Sequence, residues 1–344
     1  MDILTLNERN RREWDDYVWE SPTASHFHLG GWKAVLEAAF DLKPHYLLVK
    51  DDDRIRGILP LIPVSSRLTG RYVTSMPGGL IAADEETADT LIQAAIEFVK
   101  SVQAKYLILR DSYRKWDSPG LVTNEGLCTL MVELNEDPEK LWYGVNRRVR
   151  QSVKIAYRAD LEVIQGQNYL DNYYPIYSRA LQERGTPTQG LSFFESLMRE
   201  FSSIFNIMVI CRDQQILGGG FVALFKDTIY NTWGGMPRQH YDLQTNYILI
   251  WETLKFGCEN GYQWVDLGRS EWDSGVFNFK KKWMGRPKPL YQQYYLNGIS
   301  NPPAVGNQRA DDFQYRFFTG MWKHLPLPLT EILGTQIRKR MPFG

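Results

Sequence analysis

Residues 213–235 read DQQILGGGFVALFKDTIYNTWGG. Asp213, Gln214 and Gln215 form a turn, so residues 216–225 read as the return strand of a hairpin, residues 229–233 as the next strand, and Gly234 and Gly235 as its end. Leu243, Tyr247, Trp251, Leu254 and Cys258 then share one helical stripe, Asn260 and Gly261 stop that helix, and residues 262–267 return to strand. The same order stands in the first half. A strand at 46–49 turns at 51–54 into a strand at 55–64, and a strand at 72–75 ends at Pro77, Gly78 and Gly79. A helix capped by Asp84 carries Leu91, Ala95, Phe98 and Val102, and a strand follows at 106–109. An offset of 156 residues carries Gly79 onto Gly235 and Tyr106 onto Tyr262. The repeat lies in pattern more than in letters, and it predicts an α/β chain of two similarly built domains. Pro60 and Pro63 point to an edge or a bulge in their strand.

Outside the repeat, Asn7 is the expected cap of a first helix that buries Trp14, Tyr17 and Val18. One long helix is expected from Asp137 to about residue 160, with Pro138 in its first turn and Leu141, Val145, Val149, Val153 and Ala156 as its apolar stripe. Arg147, Arg150, Lys154 and Arg158 make a second stripe on nearly the opposite face; four cations in line suit a run of phosphates, or simply a solvated surface. A helix near 169–184 is bent by Pro175, and Ser192 with Glu195 forms a capping box for the next one.

The 344 residues are 43% hydrophobic and 23% charged, the composition of an ordinary folded protein, with room for about two domains. Lys+Arg and Asp+Glu both number 40, so no global field draws the chain to DNA or to an anionic surface. Cys128, Cys211 and Cys258 stand too far apart for a disulfide framework or a zinc site, and the five histidines include only the HxH of His26 and His28. No metal site is expected. With no apolar leader and no apolar run of spanning length, a cytoplasmic protein is expected. Residues 313–344 mix Phe317, Phe318, Met321, Trp322, Leu325, Leu327, Leu329, Ile332 and Leu333 with Arg338, Lys339 and Arg340. Such a tail either packs over its own domain or sits peripherally at the inner face of a membrane.

The chemistry concentrates at residues 264–285, WVDLGRSEWDSGVFNFKKKWMG. A strand breaks at Gly268 into a loop holding Asp266, Arg269, Ser270, Glu271 and Asp273, and a second turn at Gly275 delivers Phe277, Phe279 and Lys280. That is either a polar-ligand loop or a solvated one. Without GxSxG, a P-loop or HExxH, catalysis falls to positioning and electrostatics, as in transfer of an activated acyl group to an amine.

Beyond these residues, the chain resembles the FemAB-like family of tandem GNAT-like N-acyltransferases, closest to the branch associated with exosortase and exopolysaccharide systems. The matching segments are FHLGGWKAVLEAAF (27–40), GILPLIPVSSRLTGRYVTSMPGG (57–79), NRRVRQSVKIA (146–156), RGTP (184–187), TNYILIWETLKFG (245–257), DLGRSEWDSGVFNFKKKWMG (266–285) and PLYQQYYL (289–296). The resemblance implies two GNAT-like domains, each a mixed twisted sheet flanked by helices, at 1–136 and 161–299, joined by the basic helix 137–160 and followed by a tail at 300–344. It implies transfer of an aminoacyl or acyl group, from aminoacyl-tRNA or acyl-CoA and with no tightly bound cofactor, to an amine on a peptidoglycan, exopolysaccharide or other envelope precursor. The alternative is a non-catalytic GNAT-fold protein that recognises an envelope saccharide or a partner. The family's Phe-Lys pair falls on Phe279 and Lys280, and the proton acceptor is one of Asp266, Glu271, Asp273 and Asp242. Arg269, Ser270, Phe279, Trp233, Asn246, Asp242 and Thr186 are the implied substrate contacts, and Arg147, Arg150, Lys154 and Arg158 the donor-phosphate contacts, including those of a tRNA. One departure stands out. The pyrophosphate loop of an acyl-CoA-using GNAT domain should follow Trp233, yet Arg238 to Leu243 lacks its glycines and holds Asp242.

Overall fold

The computed structural model describes residues 1–66, 70–303 and 313–341. The chain forms two compact units: residues 1–127, 289–305 and 336–344, and residues 128–288 and 306–335. The expected linker 137–160 thus lies inside the second unit, and the tail is shared between the two.

In the first unit the strands are β1 (Asp2–Thr5), β2 (His45–Asp51), β3 (Arg54–Ser66), β4 (Gly70–Ser75), β5 (Ile81–Ala82) and β6 (Tyr106–Ser112). Two long strands, β7 (Leu121–Glu133) and β13 (Arg286–Leu296), pass from one unit to the other. The sheet order is β1-β2-β3-β4-β6-β13, with β4 and β6 parallel and β5 paired to β3. Helices α1 (Arg11–Glu20), α2 (Trp32–Phe40) and α3 (Glu85–Ser101) belong to this unit. Asp52 and Asp53 make the β2–β3 hairpin turn with φ of 47° and 61°, a left-handed pair that matches strand twist. Asp84 caps α3 as expected, accepting from the Thr87 N–H at 2.8 Å, and α3 buries Leu91, Ile92, Ala95 and Val99 against Leu47, Leu59 and Leu107.

Two expectations are corrected here. Helix α1 starts at Arg11, because Asn7 and Asn10 bond to each other in the preceding turn, Asn10 Oδ1 accepting the Asn7 N–H. The strand with Pro60 and Pro63 is an inner one, between β2 and β4, and not an edge; the bulge expected in it is present, at Ile55–Gly57 ahead of the prolines. The Pro60 carbonyl accepts from Met76 N, past the end of β4, and alternation turns Pro63 toward β2, whose pairing starts only at His45 opposite Leu61. Pro63 thus faces a neighbour strand that has run out, and at Pro60, which has no N–H to return, the Met76 carbonyl takes the Ser75 hydroxyl instead.

The second unit holds β8 (Glu162–Gln165), β9 (Phe205–Arg212), β10 (Gln215–Phe225), β11 (Thr228–Gly235) and β12 (Trp264–Glu271), in the order β7-β12-β11-β10-β9-β8. Asp213 and Gln214, φ 50° and 64°, repeat the left-handed hairpin turn of the first unit. Its helices are α4 (Pro138–Gly144), α5 (Arg147–Arg158), α6 (Leu170–Arg184), α7 (Leu191–Glu200), α8 (Thr245–Glu259), α9 (Gly275–Lys281), α10 (Phe313–Trp322) and α11 (Leu327–Arg338), the last running into the first unit. The long helix expected over 137–160 is two helices. Asn146 breaks it, its side chain accepting from the Arg148 N–H to start α5 anew. Val149 and Val153 still face the core beside Leu254 and Trp251 of α8, and Ala156 packs with Ile248 of the same helix. Pro175 lies within α6 as expected, but α7 is capped by Gly190 with no side-chain bond, so the Ser192–Glu195 box does not form. All three cysteines are buried thiols of this unit.

Candidate functional site

The repeated strand pairs end differently in the two units. In the first, the parallel ladder Val73↔Leu107 and Thr74↔Ile108 is closed off at once: the Arg110 N–H donates to Ser75 Oγ at 2.8 Å and the Gly78 N–H to the Arg110 carbonyl at 2.9 Å. His28 fills the remaining space, since a Cβ on Gly78 would lie 2.4 Å from its ring. In the second unit the parallel ladder Thr228↔Trp264 to Tyr230↔Asp266 stops, yet β11 runs on to Gly235 and β12 to Glu271. Gly234 and Gly235 end β11 as expected, and they still pair with Gly220 and Gly219 in the sheet, whereas Gly78 and Gly79 lie beyond the end of β4.

Beyond that ladder, β12 does not break into a loop as expected but continues as strand through Glu271, with Gly268 at φ 81°. The turn expected at Gly275 is the start of α9, with Ser274 Oγ accepting from the Phe277 N–H at 3.1 Å. One turn further, Lys280 reaches back over the strand. Its Nζ donates to the carbonyls of Gly268 (2.7 Å) and Arg269 (3.0 Å) and to Ser270 Oγ (3.0 Å). An ammonium has three protons, so this one is fully engaged. Burial lowers its pKa from 10.5 to about 8, against the opposing pull of Asp266. The short helix and the kinked strand therefore fix a cation at the point where β11 and β12 leave their ladder.

Asp266 lies beneath it, buried, accepting from Thr129 Oγ1 of β7 and from the Gly268 N–H at 2.7 Å. Desolvation pushes the pKa of the partly buried Tyr230 phenol up strongly, with the Asp266 charge adding to it, and lowers that of Lys288 against the opposing pull of Asp266. Thr129, Tyr230 and Lys288 went unread in the sequence. They come from other strands, and only the sheet order, with β12 between β7 and β11 and β13 on the far side of β7, brings them to Asp266.

The other candidates fall into groups. Arg269 and Asp273 are exposed, Glu271 is partly buried and Ser270 is buried around Lys280. Phe279 meets the Tyr247 ring edge-on at 5.2 Å, next to Trp283. Trp233 is a packing residue of an aromatic cluster, with Phe193, Phe194 and Phe205 rings 5.4, 5.8 and 5.9 Å away. Asp242 is exposed in the 3-10 turn Arg238–Leu243, which Gln244 (φ 61°) separates from α8, where Asn246 sits in the first turn. Thr186 lies at the turn after α6, its N–H bonded to the Leu181 carbonyl at 2.9 Å. On α5, Arg147, Lys154 and Arg158 form the exposed stripe, but Arg150 leaves it: its guanidinium donates to the Tyr143 carbonyl at 2.9 Å and closes the end of α4. A recess of 290 Å³ lined by Glu133, Leu134, Asn135, Lys140, Leu141, Met284 and Arg286 includes none of these groups. Among the described residues no cluster of His, Cys, Asp and Glu has metal-binding geometry.

Residues 143–281, ending one residue past Lys280, match the family described as acetyltransferase (GNAT) domain. No curated protein matches the chain. Solved structures similar to it include FemX, with 15% identity over 86% of this chain and 98% of that one and a TM-score of 0.69. The C-terminal domain (DUF2156) of a putative lysylphosphatidylglycerol synthetase from Agrobacterium fabrum is 14% identical over 85% and 93% of the two chains, with a TM-score of 0.58. A tandem GNAT protein from the clavulanic acid biosynthesis pathway is 12% identical over 87% and 99%, with a TM-score of 0.54. In its fold the chain is thus similar to FemX and to a tandem GNAT protein, and its residues 143–281 match the acetyltransferase (GNAT) domain family.

Proposed function

We propose that the chain transfers an aminoacyl or acyl group to an amine on a cell-envelope precursor, of peptidoglycan or exopolysaccharide, at the end of the β11–β12 pair in the second unit. The observation that carries this is the partly buried ammonium of Lys280, pinned where two parallel strands run on past their ladder, while the matching place in the first unit is sealed. The names of FemX and of the lysylphosphatidylglycerol synthetase domain support an envelope acceptor and an aminoacyl donor; the GNAT domain and the tandem GNAT protein crystallised "without AcCoA" support acyl-CoA.

In this reading the neutral amine attacks the donor's carbonyl carbon, a C–N bond forms, and the oxygen takes the negative charge. Lys280 stabilises that oxyanion by turning one N–H from Ser270 Oγ, its one neutral side-chain partner, toward it. Glu271 or Asp273 takes the amine's proton, and collapse breaks the bond to the leaving group, tRNA or CoA, whose oxygen or sulfur receives that proton. Asp266 is committed to Thr129 and Gly268 and acts by holding β12 in place. Arg147, Lys154 and Arg158 meet donor phosphates; the acidic Asp242 before α8 disfavours a pyrophosphate there, so aminoacyl-tRNA is the preferred donor. The protein works in the cytoplasm at the inner face of the membrane.

The test is mass gain on an envelope extract supplied with aminoacyl-tRNA or acyl-CoA pools. Lys280→Met should lower kcat/KM by about 10²-fold or more, the loss seen when one oxyanion donor is removed, while Lys280→Arg keeps part of it. Undiminished transfer by Lys280→Met would sink the site. A second reading, recognition without chemistry, has one observation in its favour: all three Lys280 protons already have partners. No mass gain with any donor would establish it.

A further inference from the structure

The last helix of the second unit is packed inside out. On α11 the side toward the body carries Thr330 (2% exposed) and Gly334, whose missing Cβ would lie 2.9 Å from the Thr188 carbonyl and 3.0 Å from its nitrogen. Its outward side carries Pro328, Leu329, Ile332 and Leu333, with Leu329 41%, Ile332 64% and Leu333 39% exposed. A helix that chose its orientation by burial would turn these leucines and isoleucine in. Here the small residues are held in instead, because only glycine lets the backbones come that close. On the preceding helix α10, Phe317 and Met321 are likewise 63% and 47% exposed, one turn apart. Gly185 and Gly190 seat these helices against the α6–α7 connection, since a Cβ would meet the Thr319 carbonyl at 2.8 Å and Thr335 Oγ1 at 2.5 Å.

The segment that carries this apolar side is strongly basic. Residues 313–341 hold Arg316, Lys323, Arg338, Lys339 and Arg340 against the single acid Glu331, in a chain whose formal net charge is zero. Arg316, Lys323 and Arg340 are exposed, Lys339 is partly so, and Arg338 is buried. Aliphatic side chains facing out beside exposed cations are the pattern of a helix lying in the interface of an anionic bilayer. Among the described residues no helix is long and apolar enough to cross a membrane, so the contact is peripheral. We propose that the outward side of α11, with Phe317 and Met321 of α10, docks on an anionic lipid surface. The proposal does not depend on the reading of Lys280 and can fail separately from it.

The experiment is co-sedimentation of the full chain with phosphatidylcholine vesicles, with and without phosphatidylglycerol. Binding is expected only with phosphatidylglycerol present and should weaken as salt rises. Ile332→Glu should lower it at least tenfold, and Arg316→Ser with Lys323→Ser by about fivefold for each charge removed, at roughly 1 kcal/mol per basic residue near the surface. Unchanged thermal melting of the variants shows that they fold. If vesicles of neither composition bring the protein down, the proposal is wrong. It is equally wrong if sedimentation equilibrium shows a dimer that Ile332→Glu dissociates, because the face would then belong to a second copy.

Discussion

Lys280 was legible as a residue apart from Lys281 and Lys282, but its geometry was not. The residues it grips, Gly268 to Ser270, are ten to twelve positions away, and only the α9 turn brings them together. Its pKa gives the proposal a sign. The ammonium form is the active one, so activity should fall as pH rises through about 8, and Lys280→Arg should move that fall to higher pH. A rate that climbs through the same range instead would make Lys280 a base and refute the oxyanion role. In the first unit, burial lowers the pKa of His26 from 6.5 to about 3. Between those values the unfolded chain binds the proton and the folded chain does not, so stability drops as pH falls below 6.5, by about 1.4 kcal/mol per unit at most. Denaturant titrations at several pH values should show a flatter dependence for His26→Leu than for the parent chain.

Among the elements, turns and stripes were readable because their causes are local. Asp52–Asp53 and Asp213–Gln214 adopt left-handed turns, which the aspartates favour, and Asp84 caps α3 through its own side chain. What misled was anything decided by a neighbour. Asn146 looked like one more position in a continuous stripe, yet it restarts a helix, and Gly190 rather than Ser192 begins α7 because Thr335 presses against it. The loop expected after Gly268 is strand and helix, since periodicity is short there and Gly268 hides the continuity. Ser274 is the hinge of this arrangement: Ser274→Ala removes the α9 cap and should cost about 1 kcal/mol in stability. It should also lower transfer activity, because Lys280 lies near the end of the same seven-residue helix. A variant that melts earlier but transfers at full rate would separate α9 from the chemistry.

At the scale of the whole molecule, the repeat of hairpin, strand, helix and strand announced two α/β units, and both formed. Their inequality was hidden, because the seal in the first unit depends on His28 and Ser75 meeting Gly78 and Arg110 across the fold. The close seating of the tail is testable: Gly334→Leu places a side chain against the Thr188 backbone and should cost about 1–3 kcal/mol by overpacking, read as a lower denaturant midpoint. The distribution of sulfur has a use of its own. Cys128, Cys211 and Cys258 all lie in the second unit, buried and unpaired, and the first unit has no cysteine at all. Alkylating reagents therefore see one half of the protein and are blind to the other. Trapping thiols over time under native conditions would clock the opening of the half that carries Lys280, in the unmodified chain and without an added label.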